Sequence, residues 1–294
     1  MFKLIFNVFF LILLINNYQR TKAQVILSKD NLDELCSCIS FETSRINLIN
    51  RDIIKIDSLT FNGLTSVKEI FLDSNQLTTI DPLTFAGITS LQYLYLYNNQ
   101  LTKIDSLAFK EVTSLQRLYL YDNQLTKIDS STFHGLTSLQ RLHLSDNQLT
   151  TIDSSTFDGL ISLQQLYLYS NKLKSIDPST FNQLISLQSL YLDGNQLTTI
   201  DSSTFHGLNL LQTLFLNSNQ INKIDEGIFK DLVSLRQLNL ESNNIVSFNK
   251  NALAGLKNLE KVCLFDNSIS NFFPQSLVSI CNGNSECKLF IDLK

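Results

Sequence analysis

The chain has 294 residues, 44% of them hydrophobic and 17% charged, with no Trp and only 3 Pro. That composition can close a large core and excludes a wholly disordered chain. With 23 basic residues against 27 acidic ones the net charge is −4, which argues against nucleic acid or an anionic membrane surface as the main partner.

Residues 1–23 read as a secretory signal peptide. Lys3 supplies the positive start, Leu4–Ile15 is apolar apart from Asn7, and Thr21-Lys22-Ala23 offers small residues for cleavage before Gln24. The run is short for a ~30 Å hydrocarbon core, and polar residues follow at once. Its removal takes away Lys3, Arg20 and Lys22, leaving 20 basic against 27 acidic residues and a net charge of −7. The expectation is a secreted, extracellular protein with no membrane span in the mature chain. No Asn-x-Ser/Thr sequon occurs, so no N-glycosylation is expected. Residues 24–42, carrying Cys36 and Cys38, are expected to form an N-terminal cap.

One period then organises residues 43–272. Leu91, Leu115, Leu139, Leu163, Leu187, Leu211, Leu235 and Leu259 are spaced 24 apart, and Val67 and Thr43 continue the series backwards. Each opens the same phrase, as in LQYLYLYNNQLTKIDSLAFKEVTS from Leu91. Ten copies follow without an insertion, the last partial. The form LxxLxLxxNxL at a fixed period is the sequence signature of a leucine-rich solenoid. Its LxL core alternates at period two, so it predicts a short strand, and stacked turns make a parallel sheet. The Asn column from Asn75 to Asn267 is expected to satisfy backbone groups where each strand ends. A Phe column from Phe61 to Phe229 is expected to stack beneath the outer wall. An Asp column from Asp57 to Asp225, followed by Ser, Pro or Thr, predicts turns and short helices on that outer side. One carboxylate per turn falls short of the six to eight oxygens of a calcium site, so no metal and no cofactor is expected. The fold class is thus an α/β-type, right-handed horseshoe with a concave parallel sheet.

Residues 273–294 are expected to cap the other end. Cys281 and Cys287 flank an Asn282-Gly283 turn and are the first-choice disulfide; a bridge from Cys263 into this cap is the alternative. Five Cys leave one unpaired or available to another chain, and Cys36 and Cys38 have no obvious partner in their cap.

The repeats resemble the 24-residue "typical" class of extracellular leucine-rich-repeat proteins. NQLTTID and FHGLTSLQ carry the likeness over residues 43–272. Small leucine-rich proteoglycans, Toll-like receptor ectodomains, Slit and lamprey variable lymphocyte receptors are of this kind. The resemblance implies a curved solenoid binding proteins, peptides or glycans on its concave sheet. The caps diverge: the family's N-terminal cap usually holds four cysteines, and its cysteine-rich C-terminal cap has no counterpart here.

The positions between the core leucines are expected to face the concave solvent. One column runs Asn47, Phe71, Tyr95, Tyr119, His143, Tyr167, Tyr191, Phe215, Asn239, Cys263. Two residues later come Ile49, Asp73, Tyr97, Tyr121, Ser145, Tyr169, Asp193, Asn217, Glu241, Phe265. Two residues before the first column stand Tyr93, Arg117 and Arg141. Of nine Tyr, only Tyr18 lies elsewhere. Tyr and Arg most often dominate binding energy. The predicted footprint is Tyr93, Tyr95, Tyr97, Arg117, Tyr119, Tyr121, Arg141, His143, Tyr167, Tyr169 and Tyr191, with Asp122 and Asp146 at its edge to pair with the arginines. His143, if covered by ligand, would make binding pH-dependent.

No catalytic constellation is visible. His134 and His206 sit on equivalent convex turns ~14 Å apart, His143 is on the other face, and no cluster has zinc spacing. The expected function is a non-enzymatic, secreted recognition protein for a protein, peptide or glycan. The alternatives are a matrix-type protein that self-associates as a homodimer through the same face, or an inhibitor of a foreign hydrolase.

Overall fold

The computed structural model describes residues 24–36, 44–249, 251–269 and 288–290, with Cys36 and 288–290 described by their backbone alone. The expected signal peptide, Cys38, Cys281, Cys287 and the side chain of Cys36 lie outside the described residues.

The LxL phrases form one parallel sheet. Its eleven strands are Arg45–Asn47, Glu69–Phe71, Tyr93–Tyr95, Arg117–Tyr119, Arg141–His143, Gln165–Tyr167, Ser189–Tyr191, Thr213–Phe215, Gln237–Asn239, Lys261–Cys263 and Lys288–Phe290. Register follows the repeat: Leu94 faces Leu118, which faces Leu142, which faces Leu166. The step breaks once, where Val262 pairs with Leu289. In the strands from Glu69–Phe71 to Thr213–Phe215 the middle residue points inward and is buried, while its neighbours lean half-buried into the concave side.

Where a strand ends the chain must bend sharply. The residue before each framework Asn takes a left-handed conformation, with φ from 51° to 55° at Asn98, Asp122, Asp146, Ser170 and Ser218. The Asn then fastens the bend. Asn147 Oδ1 accepts from Leu125 N at 3.0 Å, and its Nδ2 donates to Leu120 O at 3.0 Å and Leu144 O at 3.2 Å. One side chain thereby stitches two successive turns, and the same pattern recurs from Asn75 to Asn267. A buried amide so employed leaves no orphaned backbone group.

The convex side carries turns and, among the described residues, no helix. Asp129 shows why. Its Oδ1 accepts from Ser131 N at 3.0 Å, closing a small turn. Isolated i→i+3 bonds follow at Thr132, His134, Leu136 and Leu139, and Gln140 N already bonds Gln116 O in the preceding coil. The chain returns to the sheet before a helix can propagate. Beneath these turns the Phe column is buried, with successive centroids 6.0 to 6.5 Å apart. At the N-terminal end, strand Val25–Leu27 pairs with Ile53–Ile56. Helix Lys29–Cys36 sends Leu32 into the same core.

Cys263 is a free, buried thiol. The bridge from it into the C-terminal segment is therefore not formed: its sheet neighbour there is Phe290, not a cysteine.

Candidate functional site

Parallel pairing in register places equivalent side chains of successive repeats one above the other, so the sequence columns become physical columns. In the first, Phe71 stacks on Tyr95 at 4.5 Å, Tyr95 on Tyr119 at 4.9 Å, and Tyr167 on Tyr191 at 4.7 Å, all within 5° of coplanar. In the second, Tyr97 stacks on Tyr121 at 4.5 Å. Offset stacking of this kind adds about 0.5–1.5 kcal/mol per pair beyond area burial. The ring faces cover one another, so a ligand meets ring edges and hydroxyls.

His143 interrupts both ladders. Its ring lies 4.5 Å from both Tyr121 and Tyr167 and 5.7 Å from Tyr169, tilted against each, and meets Tyr119 edge-on. Burial pushes its pKa down to about 4, against the pull of Asp146 and with the help of Arg141. His143 Nε2 is 3.0 Å from Ser145 Oγ, which donates to Asp146 Oδ2 at 2.8 Å. The single hydroxyl proton goes to the carboxylate, so the neutral imidazole is the donor to Ser145. This is the reverse of a nucleophile activated by a base.

A shallow trough of about 460 Å³ opens over these rings. It gathers Tyr95, Tyr97, Tyr119, Tyr121, Arg141, His143 and Tyr167 from the predicted footprint, and adds Ile49 and Phe71. Tyr169 and Tyr191 extend the ladders beyond it. Tyr93 and Arg117 flank it, the guanidinium lying 5.3 Å over the ring. Burial raises the pKa of Tyr95, Tyr121 and Tyr167, and raises that of Tyr97 further with a hydrogen bond to Asp73. These hydroxyls stay protonated at neutral pH.

The expected pairing of Asp122 and Asp146 with the arginines is not what forms. Arg141 bonds Gln165 Oε1 through Nε and Tyr119 Oη through Nη1, and Asp146 takes the Ser145 hydroxyl. The arginines stand where the strands begin and the aspartates just past where they end, so the strand length separates them. Phe71, Ile49 and Asp73 lie outside the predicted footprint although they occupy its columns; following each column back past its first Tyr finds them.

No group of metal-ligating side chains occurs among the described residues, and no helix there is long and apolar enough to cross a membrane.

A single-layer coil with a fixed Leu, Asn and Phe framework and a varied inner face defines a solenoid repeat protein. The leucine rich repeat family profile matches residues 43–101, 96–149, 113–173, 137–197, 161–221, 185–245 and 211–269, and the chain belongs to that family. No curated protein sequence matches it as a relative. Among solved structures it is similar to the TLR13–ssRNA13 complex, at 27% identity and a TM-score of 0.74, over 80% of this chain and 34% of that one. It is also similar to the Drosophila Toll–Spatzle complex, at 20% identity and a TM-score of 0.68, over 90% and 38%. A third likeness is to an octameric assembly of Latrophilin 3, Unc5D and the repeat protein FLRT2, at 22% identity and a TM-score of 0.64, over 87% and 85%. The chain spans about a third of the length of the first two.

Proposed function

We propose that this is a secreted, extracellular recognition protein, not an enzyme, that binds a protein, peptide or glycan on its aromatic concave face. One observation carries the reading: all eight tyrosines beyond residue 23 stand half-buried on that face, seven in two adjoining ladders and Tyr93 beside them. The framework columns stay constant while His143, Ser145, Asp193 and Phe215 vary the inner ones, as expected where surface chemistry is selected. The solved neighbours are complexes, with protein partners in two and RNA in the other. The net charge of −7 after removal of residues 1–23 favours a protein partner over a polyanion.

The test is affinity capture from extracellular fluid with the wild-type chain and a Tyr119→Ala/Tyr167→Ala variant as baits. The captured ligand should bind the variant about tenfold or more weakly, because truncating central aromatic anchors removes the largest contacts. Unfolding should stay cooperative. Equal affinity for both baits overturns the reading.

A further inference from the structure

We propose that the strand-end side of the trough, where Tyr97 and Tyr121 stand over Asp73, is a subsite for an ammonium or guanidinium group. The partner is then a protein or peptide segment that inserts a Lys or Arg there. This rests on the aromatic face being the binding face.

Asp73 is 2% exposed, and its Oδ1 has no hydrogen-bond partner. Asp73 lies one turn before Tyr97, where Ser74 N bonds Tyr97 O at 3.2 Å. No Lys or Arg of the described residues forms an ion pair with it. Buried carboxylate oxygens are normally satisfied, so an unmatched negative charge beneath a binding trough calls for a cation above it.

The tyrosines beside that carboxylate are the part of it a ligand meets. Tyr97 and Tyr121 stack at 4.5 Å and both line the trough. A phenol oxygen accepts as well as donates, and a buried carboxylate alongside favours a cationic donor at these oxygens. Across the trough the sense reverses, because Arg141 Nη1 donates to Tyr119 Oη at 3.3 Å and frees the Tyr119 proton to point outward.

Charge is sorted the same way along the whole sheet. The two columns leaving the strands, from Ile49 and Asn50 onward, hold Asp73, Asp122, Asp146, Asp193, Glu241 and Asp266 and no basic residue. The basic residues of the sheet's strands, Arg45, Arg117, Arg141, Lys261 and Lys288, all stand where strands begin. Asp193, further along the acidic rail, has an unpartnered buried Oδ1 as well. A neutral glycan would match none of this polarity; a chain with basic side chains on one side matches it.

The probe is fluorescein-labelled octalysine, compared with the same peptide acetylated on every Nζ. The wild-type chain should bind octalysine about tenfold or more tightly than the acetylated peptide. Asp73→Asn should lose about tenfold of that affinity, while Asp153→Asn, which removes an equal charge from the convex side, should change it less than about twofold. Tyr121→Phe, which deletes the acceptor oxygen, should reproduce the loss and keeps the test open if Asp73→Asn does not fold. Equal binding of the two peptides, or equal effects of Asp73→Asn and Asp153→Asn, overturns the proposal. If Asp73→Asn is silent while Tyr119→Ala/Tyr167→Ala still abolishes ligand capture, the cation subsite fails and the binding face stands. If the double Tyr variant captures normally, the binding face itself fails.

Discussion

His143 Nε2 and Ser145 Oγ lie 3.0 Å apart in the centre of the aromatic face, with Ser145 in turn bonded to Asp146. The imidazole is thereby held neutral and oriented, a donor in a two-bond chain that ends on a carboxylate.

That arrangement sets a pH response. The pKa of His143 falls from 6.5 to about 4 on folding. Between those values the unfolded chain binds a proton that the folded chain refuses, so stability declines as pH falls from about 6.5 to about 4 and is level outside that window. Melting temperature against pH should show this slope for the wild type and a shallower one for His143→Asn. Because the ring stays uncharged down to about pH 4, ligand affinity should be constant between pH 7.5 and 5.5, contrary to the pH-dependent binding that an ordinary His143 would give. Equal slopes in the two proteins would show that the burial of this ring carries no proton linkage.

Asn147→Ala should destabilise by about 3 kcal/mol, since it strands Leu125 N, Leu120 O and Leu144 O away from water. Denaturant titration reads the effect. A loss below about 1 kcal/mol would mean that water replaces the amide at the bend.

Phe133→Ala should cost about 3–5 kcal/mol, because the ring is fully buried and lies 6.4 and 6.5 Å from its neighbours in the spine. A solenoid couples only adjacent turns, so a void in the middle should split the thermal transition into two. A single sharp transition in calorimetry would show that the coil is more cooperative than nearest-neighbour contact allows.

Ser218→Gly should stabilise by about 0.5 kcal/mol. Ser218 holds φ at 55°, a conformation that costs a non-glycine residue more than the entropy glycine loses. Gly194 already occupies the equivalent place one turn earlier, with φ 63°. A fall in the melting temperature would point to a role for the serine hydroxyl.

Cys263 should resist alkylation in the folded protein, since burial raises its pKa and hides the sulfur. Iodoacetamide labelling mapped by mass spectrometry should modify residue 263 only after denaturation.

Much of the fold was readable because the period leaves little choice. Ten in-phase copies fix which residues lie above which, and pairing in register turns Tyr95, Tyr119, His143 and Tyr167 into successive neighbours without further assumption. The convex side was less readable. Asp-Ser-Ser-Thr marks a helix start as well as a turn, and only the short return path to Gln140 decides between them. The partners of Arg141 were hidden too. Sequence spacing puts Asp146 five residues away, but a strand carries those five residues along its length, whereas Gln165 is brought alongside from the next repeat. Asp73 escaped notice because one Asp in a column of Tyr looks like an interruption. Its burial and its unpartnered Oδ1 are properties of the assembled stack.

The rings on the inner wall repeat every 4.5 to 4.9 Å where they stack face to face, and those of the outer spine every 6.0 to 6.5 Å. Every turn is consequently a wedge, thicker at its back by about 1.5 Å. Adding or removing a 24-residue unit beyond Tyr191 would lengthen or shorten the arch while leaving the chemistry between Phe71 and Tyr191 untouched. Span and specificity are separate dimensions of this molecule, and duplication can change the one without disturbing the other.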